Sequence, residues 1–288
     1  MADKNILKIC SFNASGLRVK EKLSTLLDYF KQINADVILL QETHLIQDDR
    51  GYLDKEWGYD YHLYGNSKNS KGLLTLFSKK IKTENIKLID SSDRYIISYL
   101  NIEEKNKLIL VNIYAPNDNK EKIYFFNNLS CIIRKVMYNK NDHSLICAGD
   151  FNTVLDNNLD IISGEKHNID VVNKFKRLLN ENVLIDSWRY LHETEKMHTW
   201  RRGFIARRLD YILVGEDIIQ YAQRASIDSI GFSDHLLASV SIKFNSFKFR
   251  KSYYKMNVSV LLDNNYVNMM KNKIPRIIKD NDKLDPQL

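Results

Sequence analysis

The apolar run Leu145-Ile146-Cys147-Ala148 stops at Gly149-Asp150-Phe151-Asn152. A short apolar run closed by glycine reads as a buried β-strand, and strand ends are where an α/β protein carries polar groups that act rather than pack. In an extended chain, residues two apart share a face, so the Asp150 carboxylate and the Asn152 amide are expected to converge on one point. A base beside a neutral hydrogen-bond donor suits attack on a phosphoester. The alternative is an Asx turn that ends the strand and does no chemistry.

Other apolar runs stop at groups of the same kind. Ile6 to Phe12 ends at Asn13, Asp36 to Leu40 at Gln41-Glu42, and Leu108 to Ile113 at Tyr114. Asp210 interrupts Leu209 to Val214, and Ser233-Asp234-His235 separates the last two runs. Singly, each has a structural reading: Glu42 a solvated edge, Tyr114 an amphipathic core residue, Asp210 a partner for Arg208, His235 a cap. Together they stand where runs stop, which in a layered fold gathers them at one end of the sheets. Such a set has the parts of a metal-assisted phosphodiester hydrolysis. Glu42 suits a hard, oxygen-seeking cation such as Mg²⁺.

The elements that would position these groups follow from periodicity. Leu23, Leu26, Leu27, Phe30 and Ile33 predict a first helix; further helices are expected over Lys120 to Tyr138 and Ile169 to Leu179. Further strands are expected at Leu73 to Ser78, Tyr95 to Ile102, Ser226 to Gly231 and Leu236 to Phe244. Strands outnumber helices, which predicts an α/β fold of two packed sheets flanked by helices.

The 288 residues, 44% hydrophobic and 27% charged, suffice for one large domain with a sizeable core. No stretch reaches the roughly 20 apolar residues of a membrane helix, so no membrane partner and an intracellular location are expected. Cys10, Cys131 and Cys147 lie in apolar segments without metal-ligand spacing and read as reduced core residues. Of the net charge of +7, residues 244–288 carry +5, nine Lys/Arg against four Asp.

Six motifs in order, Ser11-Phe12-Asn13, Leu40-Gln41-Glu42-Thr43, Asn112-Ile113-Tyr114-Ala115-Pro116-Asn117, Gly149-Asp150-Phe151-Asn152, Arg208-Leu209-Asp210-Tyr211 and Ser233-Asp234-His235, resemble those of the endonuclease/exonuclease/phosphatase (DNase I-like) superfamily. The resemblance covers about residues 6 to 243. Trp188-Arg189-Tyr190-Leu191-His192, His198-Thr199-Trp200 and Arg207-Arg208-Leu209-Asp210-Tyr211 look like the endonuclease domains of LINE-type non-LTR retrotransposons.

The resemblance implies a four-layered α/β sandwich and a Mg²⁺ site, which Mn²⁺ can share, at Glu42 with Asn13 and Asp234. It implies that Asp150 orients or deprotonates the attacking water or serves the leaving oxygen. Asn152, Tyr114 and His235 hold the scissile phosphate, Asp210 orients His235, and Asn13 belongs to the catalytic set. In place of an acidic ligand that many abasic-site endonucleases carry two residues after the first-motif Asn, this chain has Ser15. The activity implied is Mg²⁺-dependent nicking of double-stranded DNA to leave a 3′-hydroxyl that primes reverse transcription. Abasic-site repair, inositol or lipid phosphatase activity and a non-catalytic nucleic-acid-binding module are the alternatives. A DNA substrate implies a nuclear location.

Arg201, Arg202, Arg207 and Arg208 are expected in a loop at the edge of the site, where with Lys71, Lys20 and Lys22 they would contact DNA phosphates. The division expected is a catalytic domain over 1–243 and a basic, partly amphipathic tail over 244–288. In LINE-type polyproteins a similar segment leads to a reverse transcriptase, the expected partner domain.

Overall fold

The computed structural model describes residues 6–67, 71–103, 106–140, 142–244, 268 and 271–272. The chain divides into two compact units, Met1–Lys248 and Phe249–Leu288. In the second, Asn268, Lys271 and Asn272 are described, as helical and exposed, and the expected amphipathic helix otherwise lies outside the described residues.

In chain order the strands of the first unit are β1 (Ile6–Asn13), β2 (Val37–Gln41), β3 (Tyr61–Tyr64), β4 (Leu73–Phe77), β5 (Ile86–Ser91), β6 (Tyr95–Glu103), β7 (Asn106–Tyr114) and β8 (Ser144–Asp150). They continue as β9 (Ile161–Ser163), β10 (Leu184–Asp186), β11 (Trp200–Arg202), β12 (Ile205–Arg207), β13 (Asp210–Gly215), β14 (Ala222–Asp228) and β15 (Leu237–Lys243). The helices are α1 (Lys20–Gln32), α2 (Arg50–Glu56), α3 (Asn119–Tyr138), α4 (Ile169–Glu181) and α5 (Ser187–Leu191). One six-stranded sheet runs β14-β15-β1-β2-β4-β3, the other β10-β13-β8-β7-β6-β5, and β11-β12-β9 form a small third sheet.

The period of two along each strand builds the layers. Leu7 and Ile9 of β1 with Val37 and Leu39 of β2 meet Leu108 and Leu110 of β7, Ile146 and Ala148 of β8, and Ile212 and Val214 of β13 in the core between the sheets. The intervening residues point outward. Cys10, Phe12, Ile38 and Leu40 pack beneath Leu23, Leu26, Leu27 and Phe30 of α1. Ile109, Val111, Cys147 and Leu213 pack beneath Phe126, Leu129 and Ile133 of α3 and Val171, Phe175 and Leu178 of α4. The protein is therefore a four-layered α/β sandwich.

Three helices are closed by acceptors placed for the purpose: Asp118, Asn168 and Asp186 each take two main-chain N–H groups at the starts of α3, α4 and α5. Between the apolar core and the end of the sandwich lies a buried polar layer. Gln41 donates to Asn112 Oδ1 (2.8 Å) and Ser11 Oγ (3.3 Å), and Asn112 donates to the main chain of Leu40 and Leu74 and to Thr75 Oγ1.

Several expectations are corrected. Cys10 and Cys147 are buried, but Cys131 is exposed on α3, because an amphipathic helix turns part of an apolar-rich segment to solvent. The segment bearing Arg201, Arg202 and Arg207 is a hairpin, not a loop, with three-residue strands too short to leave a period in the sequence. The strand expected over Ser226 to Gly231 runs instead over Ala222–Asp228, its register fixed by β15.

Candidate active site

The polar strand ends occupy the inward parity of the core. Asn13 continues the series Leu7, Ile9; Tyr114 continues Leu108, Leu110; Asp150 continues Ile146, Ala148; and Asp210 precedes Ile212, Val214. All therefore point into the space between the sheets, at the level where apolar packing stops. Tyr114 lies opposite Asp150, and Asp150 opposite Asp210, in the registers of three neighbouring strands. Gly149 makes that approach possible: its φ is +152°, and a Cβ there would come within 1.8 Å of the Ile113 carbonyl oxygen.

His235, from the loop before β15, completes the row. Its Nδ1 is 2.8 Å from Asp210 Oδ2, and its Nε2 is 3.9 Å from Asp150 Oδ2. Burial works against the charged ring, but the Asp210 carboxylate and its hydrogen bond, with Asp150 and Asp234 nearby, outweigh it and raise the pKa to about 9. Burial and then Asp210 hold the Asp150 carboxyl well above the ordinary carboxylate range, against His235 and two hydrogen bonds. Those bonds come from Asn13 Nδ2 to Oδ2 and from the Asn152 main-chain N–H to Oδ1, both 2.9 Å. The second is the Asx turn weighed against chemistry in the sequence. The turn leaves the Asp150 side chain lining the cleft.

Asn152 reaches the cleft by a route other than strand alternation. It lies beyond β8 with φ +50°, and its Nδ2 is fixed to the Ala115 carbonyl at 2.8 Å. Convergence with Asp150 comes from a turn in left-handed backbone, which asparagine tolerates better than most residues.

Glu42, also at positive φ, accepts a hydrogen bond from the Tyr114 hydroxyl on Oε1. Burial and then Glu42 push the Tyr114 pKa far up, so the phenol keeps its proton. Glu42 Oε2 lies 3.9 Å from Lys71 Nζ and 4.0 Å from His44 Nε2. Asp234 Oδ2 accepts from Trp200 Nε1 at 2.9 Å. Asn13, Glu42 and Asp234 line one cleft with Asp150, Asn152 and His235. Two carboxylates and an amide make an all-oxygen donor set that fits a hard divalent cation. Asp150, Asp210 and His235 also bring ligand atoms within 4.8 Å of one another. There, however, an imidazolium held by Asp210 has no lone pair to offer.

The arginines separate. Arg201 and Arg202 are exposed on the hairpin, and Arg202 and Arg207 line the cleft. Arg208 does not. It is 1% exposed, donates Nε and Nη2 to Asp160 Oδ1 (3.0 and 2.8 Å), lies 2.6 Å from Asp186 and stacks over Tyr211. The expected DNA contact at Arg208 is thus corrected: it lies between β12 and β13 and is turned inward, where two carboxylates satisfy it.

Lys122 and His167 went unread in the sequence, and Thr199 was read only within the motif His198-Thr199-Trp200. Lys122 occupies the buried stripe of α3 with Phe125, Phe126 and Leu129, and its Nζ donates to the Asn152 carbonyl at 2.8 Å. A lysine within an apolar helical stripe was its signal. Thr199 is buried, and its Oγ1 accepts the main-chain N–H of both Leu209 and Asp210 at 2.9 Å, fixing the start of β13. His167 lines the cleft from the loop before α4. A loop histidine has no pattern that marks it.

Comparison with known proteins agrees with this architecture. The model of the Endonuclease/Exonuclease/phosphatase family matches residues 9–235. The transposon TX1 149 kDa protein of Xenopus laevis is 26% identical over 265 residues, covering 90% of this chain and 20% of that protein. The chain thus spans about a fifth of that relative's length. The exodeoxyribonuclease of Bacillus subtilis is 28% identical over 80% of this chain and 96% of its own. In fold, the AP endonuclease of Leishmania major superposes with a TM-score of 0.72 at 17% identity, over 84% of this chain and 89% of that one. The 3′-5′ exonuclease of Neisseria meningitidis gives 0.66 at 19% identity, over 82% and 100%.

Proposed function

Since the chain belongs to the endonuclease/exonuclease/phosphatase family, we propose that it is a divalent-cation-dependent endonuclease that nicks double-stranded DNA and leaves a 3′-hydroxyl. The observation that carries this reading is the buried Asp150–His235–Asp210 row opening into a cleft bordered by Glu42 and Asp234 and by Arg202 and Arg207. Phosphoryl transfer needs chiefly positioning and charge neutralisation, and the cleft offers both.

In this reading Asp150, a stronger base than a free carboxylate, takes a proton from the attacking water, which Asn13 and the Asn152 turn help it to orient. The water oxygen bonds to phosphorus. The 3′-oxygen leaves with the bonding pair and takes a proton from solvent water, giving a 5′-phosphate and a 3′-hydroxyl. The His235 imidazolium, fixed by Asp210, offers Nε2–H to a phosphate oxygen, and the Asn152 amide and Tyr114 complete the hold. Glu42 and Asp234 with Asn13 would hold Mg²⁺, or Mn²⁺, which when bound would supply charge neutralisation at the phosphate. Arg201, Arg202, Arg207 and Lys71 hold the duplex by its backbone. At the hairpin tip between them Phe204 is 97% exposed.

The likeness to one fifth of a transposon protein supports a place within a larger polyprotein, beside a reverse transcriptase that extends the nick, and with it a nuclear location. In that reading residues 244–288 form the basic link to the next domain. The near full-length match to an exodeoxyribonuclease favours a second reading, a repair nuclease acting at ends or abasic sites.

Supercoiled plasmid incubated with and without Mg²⁺, beside an inositol phosphate, tests the proposal. Open circles that a DNA polymerase extends directly are expected. Full activity in excess EDTA, ends that require phosphatase treatment, or phosphate release from the inositol with plasmid intact would each overturn it.

A further inference from the structure

One wall of the cleft carries positive charge that the hydrolytic row does not use. Lys122, His167 and Arg207 all line the cleft, and Lys122 adjoins Asn152. Lys122 commits one of its three N–H groups, to the Asn152 carbonyl. Arg207 gives Nη2 to the main-chain oxygen of Glu165 at 3.0 Å, and its Nε is buried with no hydrogen-bond partner. His167 Nε2 is likewise buried and unpartnered. The loop that carries His167 is pinned to the chain after β8: its N–H donates to Asn157 Oδ1 at 2.9 Å, and Asn157 Nδ2 donates to its carbonyl at 3.2 Å.

No carboxylate is hydrogen-bonded or ion-paired to these three side chains among the described residues, so they act on one another. Burial and then the charges of Arg207 and Lys122 pull the His167 pKa down to about 4. Burial lowers that of Lys122 too, with Arg207 adding to the effect against Asp150 and Asp118. Unpaired buried donors and like charges gathered on one wall each cost stability unless an anion completes them. The scissile phosphate is already provided for by His235, Tyr114 and the Asn152 amide. The group formed by Lys122, His167 and Arg207 is therefore surplus to the reaction and suited to a second anion.

We propose that Lys122, His167 and Arg207 form a separate phosphate subsite, which holds the phosphodiester adjacent to the one that is cut. This rests on the nuclease reading and adds to it a requirement: the strand must continue past the cut on the side that meets this wall. The subsite acts in binding. It fixes the strand in register with Asp150, so that water meets one linkage and not its neighbour.

The test uses the full chain and short duplexes that each carry one uncharged methylphosphonate linkage, scanned across the nick position. Binding is measured in EDTA, so that it reads contact without chemistry. With the unaltered protein, one linkage flanking the nick is expected to weaken binding about 10-fold when neutralised, the scale of one charge-assisted contact. In Arg207→Gln and in His167→Asn, whose melting temperatures report whether they fold, that penalty should shrink toward 1-fold while penalties at other linkages persist. In nuclear magnetic resonance, the His167 pKa should rise when duplex binds. Equal loss at every linkage, or an undiminished penalty in both variants, overturns the subsite and leaves nicking intact. Absence of any duplex binding or nicking overturns the nuclease reading and the subsite together.

Discussion

Arg207 and Arg208 are neighbours in sequence with the same charge, and they serve opposite regions of the molecule. Arg207 belongs to the rim with Arg201, Arg202 and Lys71, where charge meets solvent and cleft. Arg208 belongs to a buried hub in which Asp160 also accepts from Arg189 Nη2 at 3.0 Å and Tyr211 donates to the Arg208 carbonyl at 2.8 Å. Arg207 ends β12, whereas Arg208 lies past it, held inward by Asp160 and Asp186. In the hub, desolvation makes each partner indispensable to the others, whereas on the rim water screens every pair. A count of basic residues cannot see this difference, although it separates groups that hold the fold from groups free to hold a ligand.

The comparison breaks most readily at the hub. Arg208→Met leaves Asp186 buried without its cation and Asp160 with Arg189 alone, and should cost about 3–5 kcal/mol of stability, seen as a large drop in melting temperature. Loss below 1 kcal/mol would place Arg208 energetically with the rim. Next come the groups between the regions: Asp150→Asn and His235→Ala should each lower turnover about 10²-fold or more. Asp150→Asn should leave the melting temperature equal or higher, because it removes a carboxylate that burial opposes. A fall in stability matching the fall in rate would make Asp150 a structural residue.

Rim substitutions should have smaller and different effects. Arg201→Gln with Arg202→Gln should leave unfolding unchanged and flatten the salt dependence of duplex binding by about one unit of slope per charge removed. An unaltered slope would remove both from the DNA surface.

The dependence of stability on pH should be divided in the same way. His62 and His167 have folded pKa values lowered to about 4, chiefly by burial. Between their unfolded value of about 6.5 and 4 the unfolded chain binds more protons, so the stability they contribute is present above 6.5 and is lost as pH falls. His235, raised to about 9, contributes stability that is full below its unfolded value and is lost as pH rises through 9. Urea titrations across pH should show His62→Gln relieving only the acid limb and His235→Gln only the alkaline one. The smallest effect belongs to Phe204→Ala: at 97% exposure it should move stability by less than about 0.5 kcal/mol, and any change in where duplexes are nicked would then arise from contact alone.

Much of this was legible in the sequence because strand ends are written as interruptions. Asn13, Tyr114, Asp150 and Asp210 each break an apolar run at its inward parity, so motif and fold coincide. Asn152 was legible by type but for the wrong geometric reason, since a turn brings it in. The β9–β12 sheet left no period because its strands have three residues each. Thr199 and His167 owe their places to tertiary contacts alone, and the fate of Arg208 was set by Asp160 and Asp186, 48 and 22 positions away in the chain.

The Gln41–Asn112 layer links the two large sheets just beneath the cleft. Above it the site is shared: Asn13, Glu42 and His235 come with the first sheet, Tyr114, Asp150 and Asp210 with the second. Neither half holds a complete hydrolytic row, and His235 is contributed just before β15, the last strand of either sheet, which must pair with β1, the first. A fragment that ends before β15 therefore cannot assemble this row. Only when β15 has paired with β1 and the amide layer holds the two sheets in register do Asn13, Glu42 and His235 face Tyr114, Asp150 and Asp210.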